Sequence, residues 1–195
     1  MDDSDGRTPT VEARPSPHPS VSGTRKGAGY TGALEDEPER PVLVSACLLG
    51  RPCRYDGVHS RDLVLEEELA LHGMLPIPFC PEEHGQLGTP RPAAWIEDQD
   101  ASAVVRGEAR VVDERGQDVT PNFLAGAEGA VDRCAELGIR QAFLKERSPS
   151  CGVRHTHVGG VPVEGPGVTA VALEQAGVTC EGIAGCRGLG DRESD

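Results

Sequence analysis

Three short apolar runs, Val42-Leu43-Val44-Ser45-Ala46, Leu75 to Phe79 and Ile139 to Leu144, each lead into a cysteine, namely Cys47, Cys80 and Cys151. Runs this short, bounded by turn residues, read as buried strands rather than helices. Between them the period changes. Leu63 to His72 has helical spacing with its acidic residues outward. Phe123, Leu124, Ala127, Ala130, Val131, Cys134 and Leu137 fall on one face of a helix that begins at Thr120-Pro121, with Thr120 as its cap, and ends at Gly138. A last helix over Val168 to Ala176 precedes a short strand at Val178-Thr179-Cys180. This βαβ alternation predicts an α/β chain: a Rossmann-like three-layer domain around a mostly parallel sheet. A hairpin is also expected, from Ala103-Val104-Val105 and Ala109-Arg110-Val111-Val112 on either side of Gly107.

The ordered part is expected to be shorter than the 195-residue chain. Residues 1–40 are rich in Pro, Ser, Gly and charge, as in Arg14-Pro15-Ser16-Pro17-His18-Pro19, and carry too little apolar surface to offset ordering entropy. They read as a disordered tail, 41–180 as one domain, and 181–195 as a polar C-terminal tail. Aromatics are only 3% of residues against 37% hydrophobic, so Val, Leu, Ile and Ala must build the core. A net charge of -13 repels phosphate backbones, which points to a small-molecule substrate rather than nucleic acid. The start Met1-Asp2-Asp3-Ser4-Asp5 has no signal-peptide character, and no apolar run approaches the roughly 20 residues of a membrane helix. A cytoplasmic protein is therefore expected, in which the seven cysteines are thiols or metal ligands rather than disulfides.

Ligands of open parallel sheets bind beyond the carboxyl ends of the strands, and three expected strands bring Cys47, Cys80 and Cys151 to that edge. Three thiolates without a fourth partner would leave one corner of a cubane iron-sulfur cluster open to a soft donor. Each cysteine taken singly also reads as a small buried hydrophobe.

Several motifs, in a fixed order, go further: Ser45-Ala46-Cys47-Leu48-Leu49-Gly50, Cys53-Arg54-Tyr55-Asp56-Gly57, Cys80-Pro81-Glu82, Thr89-Pro90-Arg91, Asp118-Val119-Thr120, and Leu144-Lys145-Glu146-Arg147-Ser148-Pro149-Ser150-Cys151-Gly152. Together they resemble the thiouracil desulfidases (TudS-like, domain of unknown function 523), from about Pro41 to Cys180. The resemblance implies a 4Fe-4S cluster held by Cys47, Cys80 and Cys151, a functional carboxylate at Glu82 and a serine beside the cluster at Ser148. It implies the reaction of a thiolated base, thiouracil plus water giving uracil and hydrogen sulfide.

The residues allow that chemistry. Glu82 is close enough in sequence to Cys80 to serve as acid/base on a water, with Glu83 as the spare candidate. A glutamate after proline is also an ordinary solvated turn residue, and Ser148 before Pro149 either orients substrate or satisfies local backbone donors. Cys53 reads as structural or supporting, and Cys134 as core; Cys180 and Cys186 receive no role. The segment His155-Thr156-His157-Val158-Gly159-Gly160 departs from the family's aromatic-acidic-glycine pattern, and Trp95 stands where an acidic residue is common. His155 and His157 read as solvated loop histidines, and Trp95 as either a stacking surface or a core-edge anchor. Two rivals remain: a desulfidase acting on thiouridine in transfer RNA, and a non-catalytic zinc-binding or cysteine-based module.

Overall fold

The computed structural model describes residues 39–188. The expected N-terminal tail, all but its last two residues, and positions 189–195 of the C-terminal tail lie outside the described residues. Strand β1 (Arg40–Ser45) runs into a 3-10 turn (Ala46–Leu49), then come α1 (Leu63–Leu71), β2 (Met74–Phe79) and α2 (Pro81–His84). β3 (Ala94–Ile96), α3 (Ala101–Val105), β4 (Val111–Asp113), the long α4 (Thr120–Leu137) and β5 (Gln141–Lys145) follow. The chain closes with β6 (His155–Val158), β7 (Val161–Glu164), α5 (Val168–Gln175) and β8 (Thr179–Ile183).

The main sheet has the order β2-β1-β5-β8 and is parallel throughout, with Leu43 opposite Ala142 and Ser45 opposite Phe79. A parallel sheet must be covered on both faces, and the alternation along β1 shows how this one is. Val42 and Val44 pack with Leu65 and Leu69 of α1, whereas Leu43 packs with Ala130 and Cys134 of α4 and with Ala170 and Leu173 of α5. All of these side chains are buried. The result is the expected three-layer α/β arrangement, in which both β1 and β2 end at the same edge.

A second sheet, β4-β3-β6-β7, is mixed: β3 pairs antiparallel with β4 and parallel with β6, and β6 and β7 form a hairpin. Its core joins Ile96 and Val111 to Val104, Phe123 and Val171.

Two sequence expectations are corrected. The hairpin across Gly107 does not form, because Ala101–Val105 is helix α3, capped by Asp100, whose carboxylate accepts from the Ala103 amide at 2.8 Å. The strand after it, β4, pairs with β3 instead. Thr120 does not cap α4 either. It is the first residue of that helix, and its hydroxyl accepts from the Val111 amide at 2.8 Å, tying the helix start to β4.

The C-terminal strand runs past Cys180 to Ile183. Beyond it, Arg187 still bonds to the folded body through buried Asp62, at 2.8 Å. Among the described residues no helix is long and apolar enough to cross a membrane.

Candidate active site

A cavity of about 550 Å³ opens at the carboxyl edge of the main sheet. Cys47, Cys80 and Cys151 all line it, and so do Glu82 and Ser148. Each is held there by local chemistry. β1 stops at Ser45 because the chain turns tightly through Ala46–Leu49 into Gly50, whose φ of +89° suits glycine. That turn buries Cys47. Cys80 is the residue before Pro81, which opens α2 with the proline in its first turn.

α2 lies close against α4: a Cβ on Gly126 would collide with the backbone of Pro81, so glycine is needed there for the approach that seats Glu82 and Glu83. Cys151 sits in a turn that Ser148 builds. The Ser148 hydroxyl oxygen accepts from the amides of Ser150 and Cys151, at 3.2 and 3.0 Å, and its carbonyl accepts from the Gly152 amide at 2.9 Å. The oxygen is thus committed to the backbone while the hydroxyl proton is left to be donated.

The neighbouring Glu146 fixes this loop from behind. Its buried carboxylate accepts from the amides of Arg154 and His155, at 3.1 and 3.2 Å, and the Arg147 amide donates to the His155 carbonyl at 3.2 Å.

The thiols form a connected set. Cys80 Sγ donates to the carbonyl of Cys53, from the loop after the 3-10 turn, at 3.7 Å, and the Cys53 thiol also interacts with the thiols of Cys47 and Cys80, as Cys151 does with Ser45 at the end of β1. The Cys47 thiol and then burial push the Cys53 thiol up to about 12; burial pushes Cys151 up to about 12. Cys80 is raised further, by its bond to Cys53 and then by burial. Thiols held this way stay protonated unless a cation supplies the charge their ionised forms need.

Next to them a buried Glu83 oxygen, Oε2, makes no hydrogen bond, although it lies 2.9 Å from Arg51. A soft, positively charged inorganic group suits such a donor set better than an apolar filling does.

Cationic side chains dominate the rest of the wall, against the strongly acidic balance of the chain. Arg54, Arg91, Lys145 and Arg147 line the cavity, with Glu82 and Glu146 as its carboxylates. Arg91 holds Glu82 at 2.8 Å. Lys145 Nζ donates to the Glu146 carbonyl at 2.9 Å, and burial lowers its pKa. Trp95, Tyr55 and His157 complete the wall, and burial followed by the charge of Arg147 lowers the pKa of His157.

The family model for 2-thiouracil desulfurase matches residues 42–181. The chain belongs to the 2-thiouracil desulfurase family. An uncharacterized member-length relative, YbbK of Bacillus subtilis (strain 168), is 38% identical over 144 residues, covering 70% of this chain and 91% of that protein. A solved structure described as the 4Fe-4S-dependent thiouracil desulfidase TudS is 40% identical and covers 73% of this chain and 90% of its own. It superposes with a TM-score of 0.63.

Within this family frame, all five residues singled out from sequence meet in one cavity, Cys47, Cys80 and Cys151 as thiols with Glu82 and Ser148 beside them. Sequence reasoning assigned no role to Arg91, Lys145 or Arg147, although all three lie inside quoted motifs; a basic residue repeated through motifs that otherwise supply thiols was the available signal. Cys53 stands among the thiols, closer to them than its supporting role suggested. His157 reaches the cavity from β6, while His155 is exposed. Cys134 is core, as expected.

Proposed function

We propose that this chain is a 4Fe-4S-dependent desulfidase that hydrolyses the thiocarbonyl of a small thiolated pyrimidine, such as 2-thiouracil, to the carbonyl compound and hydrogen sulfide. The observation that carries this reading is the convergence of Cys47, Cys80 and Cys151 on a cavity that also holds Glu82 and Ser148. Those three thiols are the residues that would hold the cluster.

Held by Cys47, Cys80 and Cys151, such a cluster would supply soft Lewis acidity that polarises a thiocarbonyl. The protein residues do the proton work. Glu82 takes a proton from the attacking water, aimed by its ion pair to Arg91, as the new carbon–oxygen bond forms. The same carboxyl returns that proton to the departing sulfur as the carbon–sulfur bond breaks, and the second water proton leaves the new hydroxyl for the sulfide as the carbonyl forms, so the reaction is hydrolytic and needs no electron donor. Ser148 donates its free hydroxyl proton to the substrate or the water. Trp95 offers a flat face to a planar ring, and the cationic wall favours an anionic or strongly polarised heterocycle.

The functional unit in this reading is residues 41–180, working in the cytoplasm.

The deciding experiment is anaerobic reconstitution with iron and sulfide, followed by sulfide release from 2-thiouracil. We expect about four irons per chain, the content of a cubane, and sulfide released with uracil in equal amount. Loss of the cluster in Cys47→Ala, Cys80→Ala and Cys151→Ala is expected. Fully loaded protein that releases sulfide from no thiopyrimidine would overturn the substrate assignment.

A further inference from the structure

The cysteine wall contains a second, tighter grouping. One sulfur each from Cys53 and Cys80 and a carboxylate oxygen of Glu83 all lie within 4.8 Å of one another. Cys151 is not part of it. Two thiolates on one tetrahedral zinc stand about 3.8 Å apart, from Zn–S bonds of ~2.3 Å, so small side-chain rotations bring this trio onto a single ion. Thiolates on separate corners of a cubane are spaced more widely.

Two further observations fit a cation here. Glu83 Oε2 is buried and, apart from its ion pair with Arg51, makes no hydrogen bond, which leaves a lone pair for a metal ion. The charges also balance: two thiolates and a carboxylate carry three negative charges, a divalent ion offsets two, and the Arg51 guanidinium, 2.9 Å from Glu83, faces the third. The fourth position of a tetrahedron is left to water, which adds no charge to that balance.

We propose that Cys53, Cys80 and Glu83 form a single-ion site for a soft divalent cation of the zinc type, and that this site and the iron-sulfur cluster exclude each other because both require Cys80. Binding releases the two thiol protons. The site makes the protein sensitive to zinc before its cluster is assembled: zinc that arrives first blocks loading, and an assembled cluster keeps zinc out. The mutual exclusion rests on the cluster reading given above, whereas the zinc site itself stands on the trio's geometry.

The test uses the reduced, metal-free full-length chain, titrated anaerobically with Co²⁺ and then with Zn²⁺. The expected result is one Co²⁺ per chain, with the intense thiolate-to-cobalt charge-transfer bands and tetrahedral visible bands that two or more sulfur ligands produce, bleached by one equivalent of Zn²⁺. Zinc-loaded chain should take up no cluster on later reconstitution.

Two variants separate the sites. Cys53→Ala is expected to lose more than a hundredfold in Co²⁺ affinity, beyond the roughly 10–100-fold cost of removing a mere outer-shell partner, while still assembling the cluster, which also reports that it folds. Cys151→Ala is expected to keep the cobalt signature and lose the cluster. Glu83→Gln should weaken Co²⁺ binding with the charge-transfer bands shifted but present. Unchanged Co²⁺ affinity in Cys53→Ala, or loss of Co²⁺ binding in Cys151→Ala, overturns the site. Zinc-loaded chain that accepts a full cluster overturns the exclusion, and failure of every chain to assemble a cluster counts against the desulfidase reading while leaving the cobalt result to stand by itself.

Discussion

Arg91 is bonded to Glu82 at 2.8 Å while its other guanidinium nitrogens reach the carbonyls of Cys53, at 3.0 Å, and Gly88, at 3.1 Å. Both side chains are nearly enclosed, at 6% and 15% exposure, so the guanidinium fork ties the candidate base to the thiol-bearing loop. Removing the arginine leaves a largely buried carboxylate without its partner. Arg91→Ala is expected to cost about 3–5 kcal/mol in stability, the usual result of breaking a buried pair from one side. Arg91→Lys is expected to rescue stability only in part, since an ammonium cannot reproduce the fork. Glu82→Gln is expected to lower the rate of sulfide release by about 10²–10⁴-fold, with iron content unchanged. Iron counting beside the activity assay checks this, and full activity in Glu82→Gln would remove it from the proton-transfer role.

Ser148 is asked to do two things, and substitution separates them. Ser148→Ala strips the acceptor from the amides of Ser150 and Cys151 and is expected to cost about 1–3 kcal/mol, as for other amides left unsatisfied. Because Cys151 rides on that turn, the variant should also lose cluster iron faster to a chelator. Ser148→Thr retains the acceptor and the proton and should hold its iron like the parent. Equal iron retention in the Ala variant would show that the turn does not depend on the hydroxyl.

The main sheet was legible because its strands announce themselves: Val42 to Ala46 is a short, mostly apolar run, and α4 repeats its apolar face from Phe123 to Leu137, about four turns, before Gly138. The edge that gathers the three cysteines follows from that alternation alone. The second sheet was not legible for a physical reason. β3 and β4 are three residues each, too short for a period of two to show, and Ala103-Val104-Val105 is as compatible with one helical turn as with a strand until the cap at Asp100 decides it. The β6–β7 hairpin did carry a signal, Gly159-Gly160 between two short runs, that names a two-residue turn with positive φ at both positions. Within the site, thiols and acids were found by type, whereas Arg91 and Lys145 were not, because a basic residue in a loop looks the same in sequence whether it faces solvent or a cavity.

Two thiols outside the proposed ligand set, Cys134 buried and Cys180 half-buried, give the fold an alkaline limit. Burial pushes Cys134 up to about 11 and Cys180 up to about 12, from an ordinary value of 9.0. The unfolded chain therefore ionises first, so it binds fewer protons than the fold between pH 9 and these higher values. Stability from these groups is complete below about pH 9 and declines as pH rises toward the folded values. Thermal melts of the metal-free chain are expected to shift downward across that window, and Cys134→Val should flatten part of the decline. A Cys134→Val melt that falls as steeply as the parent's would place the alkaline sensitivity elsewhere.

Asp62 shows how far the folded unit extends toward the C-terminus. Its side chain is wholly buried; one oxygen caps α1 by accepting from the Leu65 amide at 2.9 Å, and the other accepts from Arg187 Nε at 2.8 Å. The Arg187 carbonyl in turn accepts from the Leu63 amide at 2.9 Å, so the segment after β8 is laced to the start of α1 on both backbone and side chain. Asp62→Ala removes the cap and the partner of a guanidinium that still reaches solvent, with an expected loss of about 1–3 kcal/mol. Asp62→Asn keeps the cap oxygen and gives up only the charge, and should fall between that variant and the parent. A chain ending at Cys186 instead leaves the carboxylate buried and unpaired, and its thermal midpoint should drop further, by roughly 10 °C or more for a domain of this size. A midpoint unmoved by that truncation would mean that the ion pair contributes nothing and that the folded unit ends at Ile183.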